Sequence, residues 1–265
     1  MTASLGSYNE TPGMFFNQGL HEISSTKKHK LGTVRLTDDG RKFVYTLNGA
    51  ADTTPGMLMS VAQTPIDATI AAADALINLA GSKTMSLTVA GLTAGSHADG
   101  YAIIKAGADI GNMYKIAGNT VTGTPATGRS YLTLYKPIET LHVASNTTVA
   151  VHKSPYSQLI VNPAVADENA TTAERVMGMS TRIVTAAYYF WAQTWGPASL
   201  VLDVAAAAGN ESNEMLIVAG VTAGRGAIVI PLETTFFWGT QIIGYVLEKV
   251  DQTNAEGNLV FLTIG

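Results

Sequence analysis

The stretch HKLGTVRLTDDGRKFVYTL, from His29 to Leu47, decides the fold class because it reads as a β-hairpin whose register can be checked residue by residue. Asp39-Gly40 is the pair that favours a two-residue type I′ loop, in which both positions need positive φ. A turn centred there sets Leu36 opposite Phe43, Val34 opposite Tyr45 and Gly32 opposite Leu47, giving an apolar face. The reverse face pairs Thr37 with Lys42, Arg35 with Val44 and Thr33 with Thr46, and is mostly polar. A slip of one residue mixes the two faces, so pattern and turn chemistry agree on this register. The expectation is an antiparallel sheet with one wet side.

Outward from the hairpin, short runs rich in Val, Ile, Leu, Thr and Tyr are separated by Gly, Asn and Pro at the spacing of a sandwich or barrel. Expected strands are Thr84–Val89, Tyr101–Ala106, Met113–Ile116, Tyr131–Tyr135, Thr148–Val151, Leu159–Val161 and Arg182–Val184. They continue with Tyr188–Trp195, Leu200–Val204, Met215–Val218, Ala227–Pro231, Gln241–Val250 and Asn258–Ile264. Pro137, Pro155, Pro163 and Pro197 fall between runs, where they remove no ladder hydrogen bond. The fold class is therefore all-β, an antiparallel sandwich or barrel with hairpins and at most one short helix. That helix competes at residues 64–81, with Thr64 as N-cap, Pro65 at N1 and Gly81 as terminator, although Asp67 onward also suits a short exposed strand.

Three segments follow. Residues 1–28 form an arm with scattered glycines and one apolar spot, Met14-Phe15-Phe16. The arm either crosses a neighbouring subunit or tucks onto its own core. Residues 29–165 form a β domain, and 166–265 a second one or a continuation of the same sandwich. The boundary is placed in the polar stretch Ala164–Thr181. Thr54-Pro55-Gly56-Met57 repeats Thr11-Pro12-Gly13-Met14 and marks type II turns. Leu87–Gly95 and Leu216–Gly224 agree at seven of nine positions, a likeness that chance recurrence in a chain this rich in Ala, Gly, Thr and Val explains better than duplication does.

The 265 residues carry 14% charged and 46% apolar side chains, a net charge of −4 and a mean hydropathy of +0.18. Soluble domains average about 25% charged residues. So little charge points to surface covered by other subunits, and the expectation is a homo-oligomer, dimer or trimer; the alternative is a monomer whose surface is mainly Thr, Ser, Asn and Gly. No apolar run reaches the roughly 18 residues of a membrane span, and the N-terminus lacks the pattern of a secretory signal. Lys27-Lys28-His29-Lys30 is too small a basic cluster for a nucleic-acid stripe. The absence of cysteine removes disulfides, thiolate metal sites and a cysteine nucleophile.

Chemistry-bearing groups are sparse. His21, His29, His97, His142 and His152 show no metal-ligand spacing, and His142 with His152 is at most half a site. Asp38-Asp39 and Asp167-Glu168 are neighbours that point apart on a strand and outward in a turn. The Gly220–Gly226 stretch lacks the Lys-Ser/Thr of a phosphate loop and reads as a turn. Asn146, Asn169 and Asn210 stand in sequons that read as coincidences, since they mark surface loops only in a host that glycosylates. Tyr188-Tyr189-Phe190-Trp191 and Trp195 put aromatics on both faces of one strand, which suits burial between layers. The competing use of Trp191, Trp195 or Trp238 is sugar stacking. No catalytic, cofactor-binding or metal-binding residue is assigned, and no cofactor is expected.

The run His29-x-Leu31-Gly32-Thr33 leading to Asp39-Gly40-Arg41-x-Phe43-x-Tyr45 resembles virion structural proteins of tailed bacteriophages. So does Val176-x-Gly178 followed by Tyr189-Phe190-Trp191-x-Gln193-Thr194-x-Gly196. The likeness spans about residues 29–200 and is to the small β-rich head proteins that decorate or cement the capsid. It implies a sandwich or barrel that oligomerises on the outside of the shell, takes the major capsid protein as partner and performs no chemistry. The alternative is a tail, fibre or head-spike protein that meets the host surface. A different class, a polysaccharide depolymerase with distant carboxylates, ranks below both.

Overall fold

The computed structural model of the chain describes residues 17–61, 65–70, 78–88, 92–107, 109–122, 129–142, 147–163, 175–203, 216–220, 222–228, 241–248 and 257–264. Every regular element among them is a strand. The chain divides into two compact units: residues 1–62 with 156–265, and residues 63–155 inserted between them.

The first unit is built on one sheet. Its strands are β1 (Val34–Leu36), β2 (Lys42–Leu47), β3 (Met57–Ser60), β10 (Ile160–Val161), β11 (Val176–Ser180), β12 (Tyr189–Val201), β13 (Leu216–Ala219), β14 (Gly226–Ile228), β15 (Gly244–Val246) and β16 (Gly257–Thr263). The order is β10-β3-β11-β12-β16-β15-β13-β14, with the β1-β2 hairpin attached to β12. The expected boundary at Ala164–Thr181 is thus corrected. That stretch carries β11, which pairs with β3 on one side and β12 on the other, so a division there would cut one sheet in half.

The hairpin forms in a register one residue away from the expected one. Val34 faces Val44, Arg35 faces Phe43 and Leu36 faces Lys42. Thr37 N–H donates to the Arg41 carbonyl at 3.0 Å, and Gly40 N–H to the Thr37 carbonyl at 3.0 Å. The loop therefore holds three residues, Asp38, Asp39 and Gly40, with Gly40 alone at φ +81°. This is the three-residue hairpin in which only the last loop position needs a left-handed backbone, and glycine meets it. Asp39 stabilises the turn by accepting from the Thr37 hydroxyl, the Arg41 N–H and Arg41 Nε. The wet side is corrected too. Phe43 to Thr46 are all buried, Val34 and Leu36 are exposed, and Arg35 is 5% exposed.

β12 is the spine. Residues 189–195 pair with β2 and residues 195–201 with β16. A register shift between Gln193 and Trp195 marks a bulge at the change of partner. Before it the strand is buried on both faces; after it, burial alternates strictly. Pro197 lies inside this strand, opposite Phe261, rather than between two runs. Its carbonyl accepts from Gln193 Nε2 at 2.7 Å, so its backbone faces away from β16 and its missing N–H costs the ladder nothing.

Residues 17–28 of the expected arm pack on this unit's own core. Leu20 is buried with Leu31, Phe43, Tyr45 and Trp191, and Ser24 exchanges backbone hydrogen bonds with Tyr189. Met14-Phe15-Phe16 lies outside the described residues. Arg182–Val184 is not a strand; Val184 makes a single bridge to Thr53.

The inserted unit is a closed barrel of β4 (Ile66–Ile70), β5 (Thr84–Thr88), β6 (Tyr101–Ala106), β7 (Met113–Thr122), β8 (Arg129–Leu134) and β9 (Thr148–His152), in the order β4-β5-β8-β7-β6-β9. β6, β7 and β8 are successive hairpin neighbours and β9 returns beside β6, a Greek key. Of the two readings of residues 64–81, helix or short strand, the strand holds at residues 66–70, while Thr64 and residues 71–77 lie outside the described residues. Residues 66–70 alternate intermediate-exposed-buried-exposed-buried, a strand pattern, and pair with β5 and β9. Closure leaves no sheet edge, and its interior is filled by Met85, Leu87, Ile104, Ile116, Leu132, Leu134, Val149 and Val151.

Candidate functional site

The most distinctive surface lies on the second half of β12 and its neighbours. Cross-strand register places Pro197, Phe261, Tyr245 and Leu216 in one row across β12, β16, β15 and β13. A neighbouring row sets Ser199 beside Leu259, whose carbonyl accepts from Leu247 N–H. The intervening residues Ala198, Leu200, Val260, Leu262 and Val246 point into the core, so alternation sends the rows outward. Tyr245 stacks on Phe261 with centroids 5.1 Å apart and planes 8° from parallel, and Trp195 meets the same ring edge-on at 5.5 Å. Trp195, Leu216, Ile242, Tyr245, Leu247 and Leu259 are each 40–52% exposed. What distinguishes these six from scattered exposed apolar side chains is that they adjoin one another across neighbouring strands in one contiguous patch.

Beside this face runs a groove of about 620 Å³, which Leu259 shares. Its walls carry His21, Asp39, Arg41, Thr181 and Gln193. Gln193 is occupied by the carbonyls of Trp195 and Pro197. Burial, then the charges of Arg182, Arg41 and Arg35, hold the His21 pKa below its ordinary value.

Trp191 and Trp195, paired in the sugar-stacking expectation, have opposite fates. Trp191 is 1% exposed, enclosed by His29, Tyr45 and the Arg35 guanidinium, and its Nε1 donates to the Gln18 carbonyl at 3.3 Å. It offers no face to a ligand. Trp195 remains available, and Trp238 lies outside the described residues.

The other chemistry-bearing residues do not converge. His29 is packed between Tyr45 and Trp191, and burial lowers its pKa. In the barrel, His142 is buried edge-on to Tyr114, and His152 ends β9. Among the described residues no group of three or more His, Cys, Asp or Glu is placed to hold a metal. His97 Nδ1 lies 2.8 Å from Ser96 Oγ, a pair that looks like a nucleophile with its base. Ser96 Oγ, however, donates its proton to the Thr93 carbonyl at 2.6 Å, so the imidazole acts as donor and the hydroxyl is tied into a turn. Burial drives the His97 pKa to about 4, which keeps the ring neutral.

Asp38-Asp39 occupies the hairpin loop as expected of turn residues. The glycine-rich stretch at 220–226 joins β13 to β14, closed by Gly220 N–H on the Arg225 carbonyl and by Asp203, which accepts from Thr222 N–H and lies 3.8 Å from Arg225. Asp167-Glu168 and the sequon residues Asn146, Asn169 and Asn210 fall outside the described residues.

Comparison of the chain with protein-family models, curated proteins and solved structures gave no match.

Proposed function

We propose that this chain is a non-enzymatic virion structural protein that binds and stabilises a bacteriophage capsid shell from outside, as a small homo-oligomer. The exposed apolar face on β12, β16, β15 and β13 is the observation that supports the reading. A sheet face of leucine and aromatic side chains contacts another protein surface with little desolvation of charge. Six such side chains supply roughly 500 Å² of apolar surface, enough for the core of a standard interface of about 800 Å² per partner. Many copies on one particle add by avidity. The test is co-sedimentation with empty shells that lack the protein, alongside light scattering of the free protein. Saturable binding at a fixed ratio to the major capsid protein, lost in Trp195→Ser with Tyr245→Ser, is expected. A stable oligomer that ignores the shells overturns the reading.

The Trp195 indole also favours a second reading, a tail, fibre or head-spike component that stacks on host sugars. Glycan-array binding by the folded protein that disappears on Trp195→Ala selects it over the first.

A further inference from the structure

We propose that the outer edge of β1 is where two copies of this chain meet, by antiparallel strand addition around a two-fold axis. The proposal rests on the small homo-oligomer of the reading above and does not depend on the shell. Among the described residues β1 has a neighbouring strand, β2, on one side only. The Thr33 carbonyl accepts from Tyr45 N–H at 2.9 Å, and Thr37 N–H donates to the Arg41 carbonyl at 3.0 Å. With Arg35 facing Phe43 between them, the positions bonded to β2 are Thr33, Arg35 and Thr37. Val34 and Leu36 alternate with these, so both turn N–H and C=O away from β2, and both side chains are exposed. Four backbone groups and two apolar side chains are the complement of another extended strand.

The geometry of this edge selects a second copy as that strand. A two-fold axis through Arg35 sets Val34 of one copy against Leu36 of the other, and the reverse, each pair exchanging two hydrogen bonds. Every outward group on both edges is then satisfied. The edge is also bounded. Gly32 N–H and the Thr33 carbonyl both bond Tyr45, so two residues stand against one in a bulge, with Gly32 at φ +83°. At the other end the hairpin loop turns away after Thr37. One register therefore fits, and the contact closes as a dimer instead of growing into a fibre. Neither Val34 nor Leu36 is the charge or proline that natural edges use to refuse a neighbour. Arg35 faces its own copy across the axis, and like charges placed so oppose pairing. Here its guanidinium is drawn away from the edge, across β2 to the Trp191 ring on β12 at 5.6 Å, with Nη1 on the Gln18 carbonyl.

The experiment is light scattering of the full chain over a concentration series, with amide hydrogen exchange read at Val34 and Leu36. A mass rising from 27.8 kDa to twice that is expected, both amides becoming protected only as the dimer forms. Val34→Pro removes an outward N–H and leaves the bonds to β2 whole. Leu36→Glu places a carboxylate in the contact, yet faces Lys42 within its own hairpin. Each is expected to weaken dimerisation about tenfold or more, with urea midpoints showing that the fold is kept. Should a variant lose its fold, the wild-type exchange data still decide. Trp195→Ser with Tyr245→Ser is expected to leave the dimer unchanged. A monomer at every concentration overturns the proposal, as does a trimer, or a dimer that both edge variants preserve. So does loss of the dimer in the Trp195 and Tyr245 double variant, which makes the apolar face the self-contact. Protection of both amides in the dilute monomer overturns it as well, because the chain's own residues then cover the edge. A dimer with the expected dependence that ignores the shells leaves this inference standing and the capsid reading fallen.

Discussion

The Arg35 guanidinium lies 5.6 Å from the ring centroid of Trp191, joining the edge strand of the hairpin to the spine of the larger sheet. Arg35 Nη1 and Trp191 Nε1 both donate to the carbonyl of Gln18, at 3.1 and 3.3 Å. The Gln18 side chain in turn accepts from Tyr45 and donates to the carbonyls of Glu22 and Tyr189. One glutamine at the start of the described chain therefore ties the arm to β1, β2 and β12.

Arg35→Met keeps the volume but removes the charge, the donor and the stacking over Trp191. The expected loss is about 2–3 kcal/mol, combining a charge-assisted hydrogen bond with a cation–π contact in a buried site. Urea unfolding of the two proteins measures it.

Two glycines separate a conformational cost from a steric one. Gly40 sits at φ +81° with nothing within 4 Å of an added Cβ, so Gly40→Ala costs only about 1 kcal/mol of backbone strain. Gly244 lets β15 approach β16 so closely that an added Cβ would sit 2.1 Å from the Phe261 carbonyl oxygen. Gly244→Ala is expected to cost on the order of 3 kcal/mol or more and to perturb the exposed aromatic row as well. Thermal melts of both variants check the contrast.

Stability depends on pH through His97. Its folded pKa of about 4 lies below the ordinary value of 6.5, with burial as the main cause and Lys153 and His152 adding to it. Unfolded chains therefore bind a proton that the native state refuses between those values. This contribution is complete above pH 6.5 and is lost as pH falls through about 4, amounting to on the order of 3 kcal/mol. Burial also lowers the pKa of His21, His29 and His142, so His97→Gln is expected to flatten the acid limb without abolishing it. Urea midpoints followed from neutral to acid pH give the slope.

Exposed aromatics and buried ones predict opposite outcomes. Trp195→Ser removes a half-open ring and is expected to shift stability by about 1 kcal/mol or less, whereas Trp191→Ala empties the aromatic core and costs about 3–5 kcal/mol. The same urea titration reads both.

The all-β class was legible in the sequence because alternation and turn residues agree over most of the chain. Register was not. Asp39-Gly40 suits a two-residue loop and a three-residue loop equally, and only the buried Arg35 tells them apart. Polarity argued for placing that arginine in water, while its pairing with Trp191 and Gln18 holds it inside. β11 was hidden because Val176–Ser180 follows a polar run and contains Gly178, whose lack of a side chain admits the neighbouring Ala192. The exposed apolar face was hidden for the opposite reason: β16 reads Leu259, Val260, Phe261, Leu262, apolar on both sides, so period two cannot say which side meets solvent. Trp195 stands out in the sequence, but its partners Phe261 and Tyr245 become neighbours only through strand order.

β3 and β10 are hydrogen-bonded neighbours separated by about a hundred residues of chain, and those residues are the barrel. A ribosome releases the whole barrel segment before β10 emerges to meet β3. The insert thus has time to collapse by its own hairpins, and doing so shortens an otherwise costly loop. Assembly of the larger sheet, and with it of the aromatic row on β12, β15 and β16, waits until β16 has followed the barrel off the ribosome. The exposed apolar face therefore forms only after the barrel segment is complete.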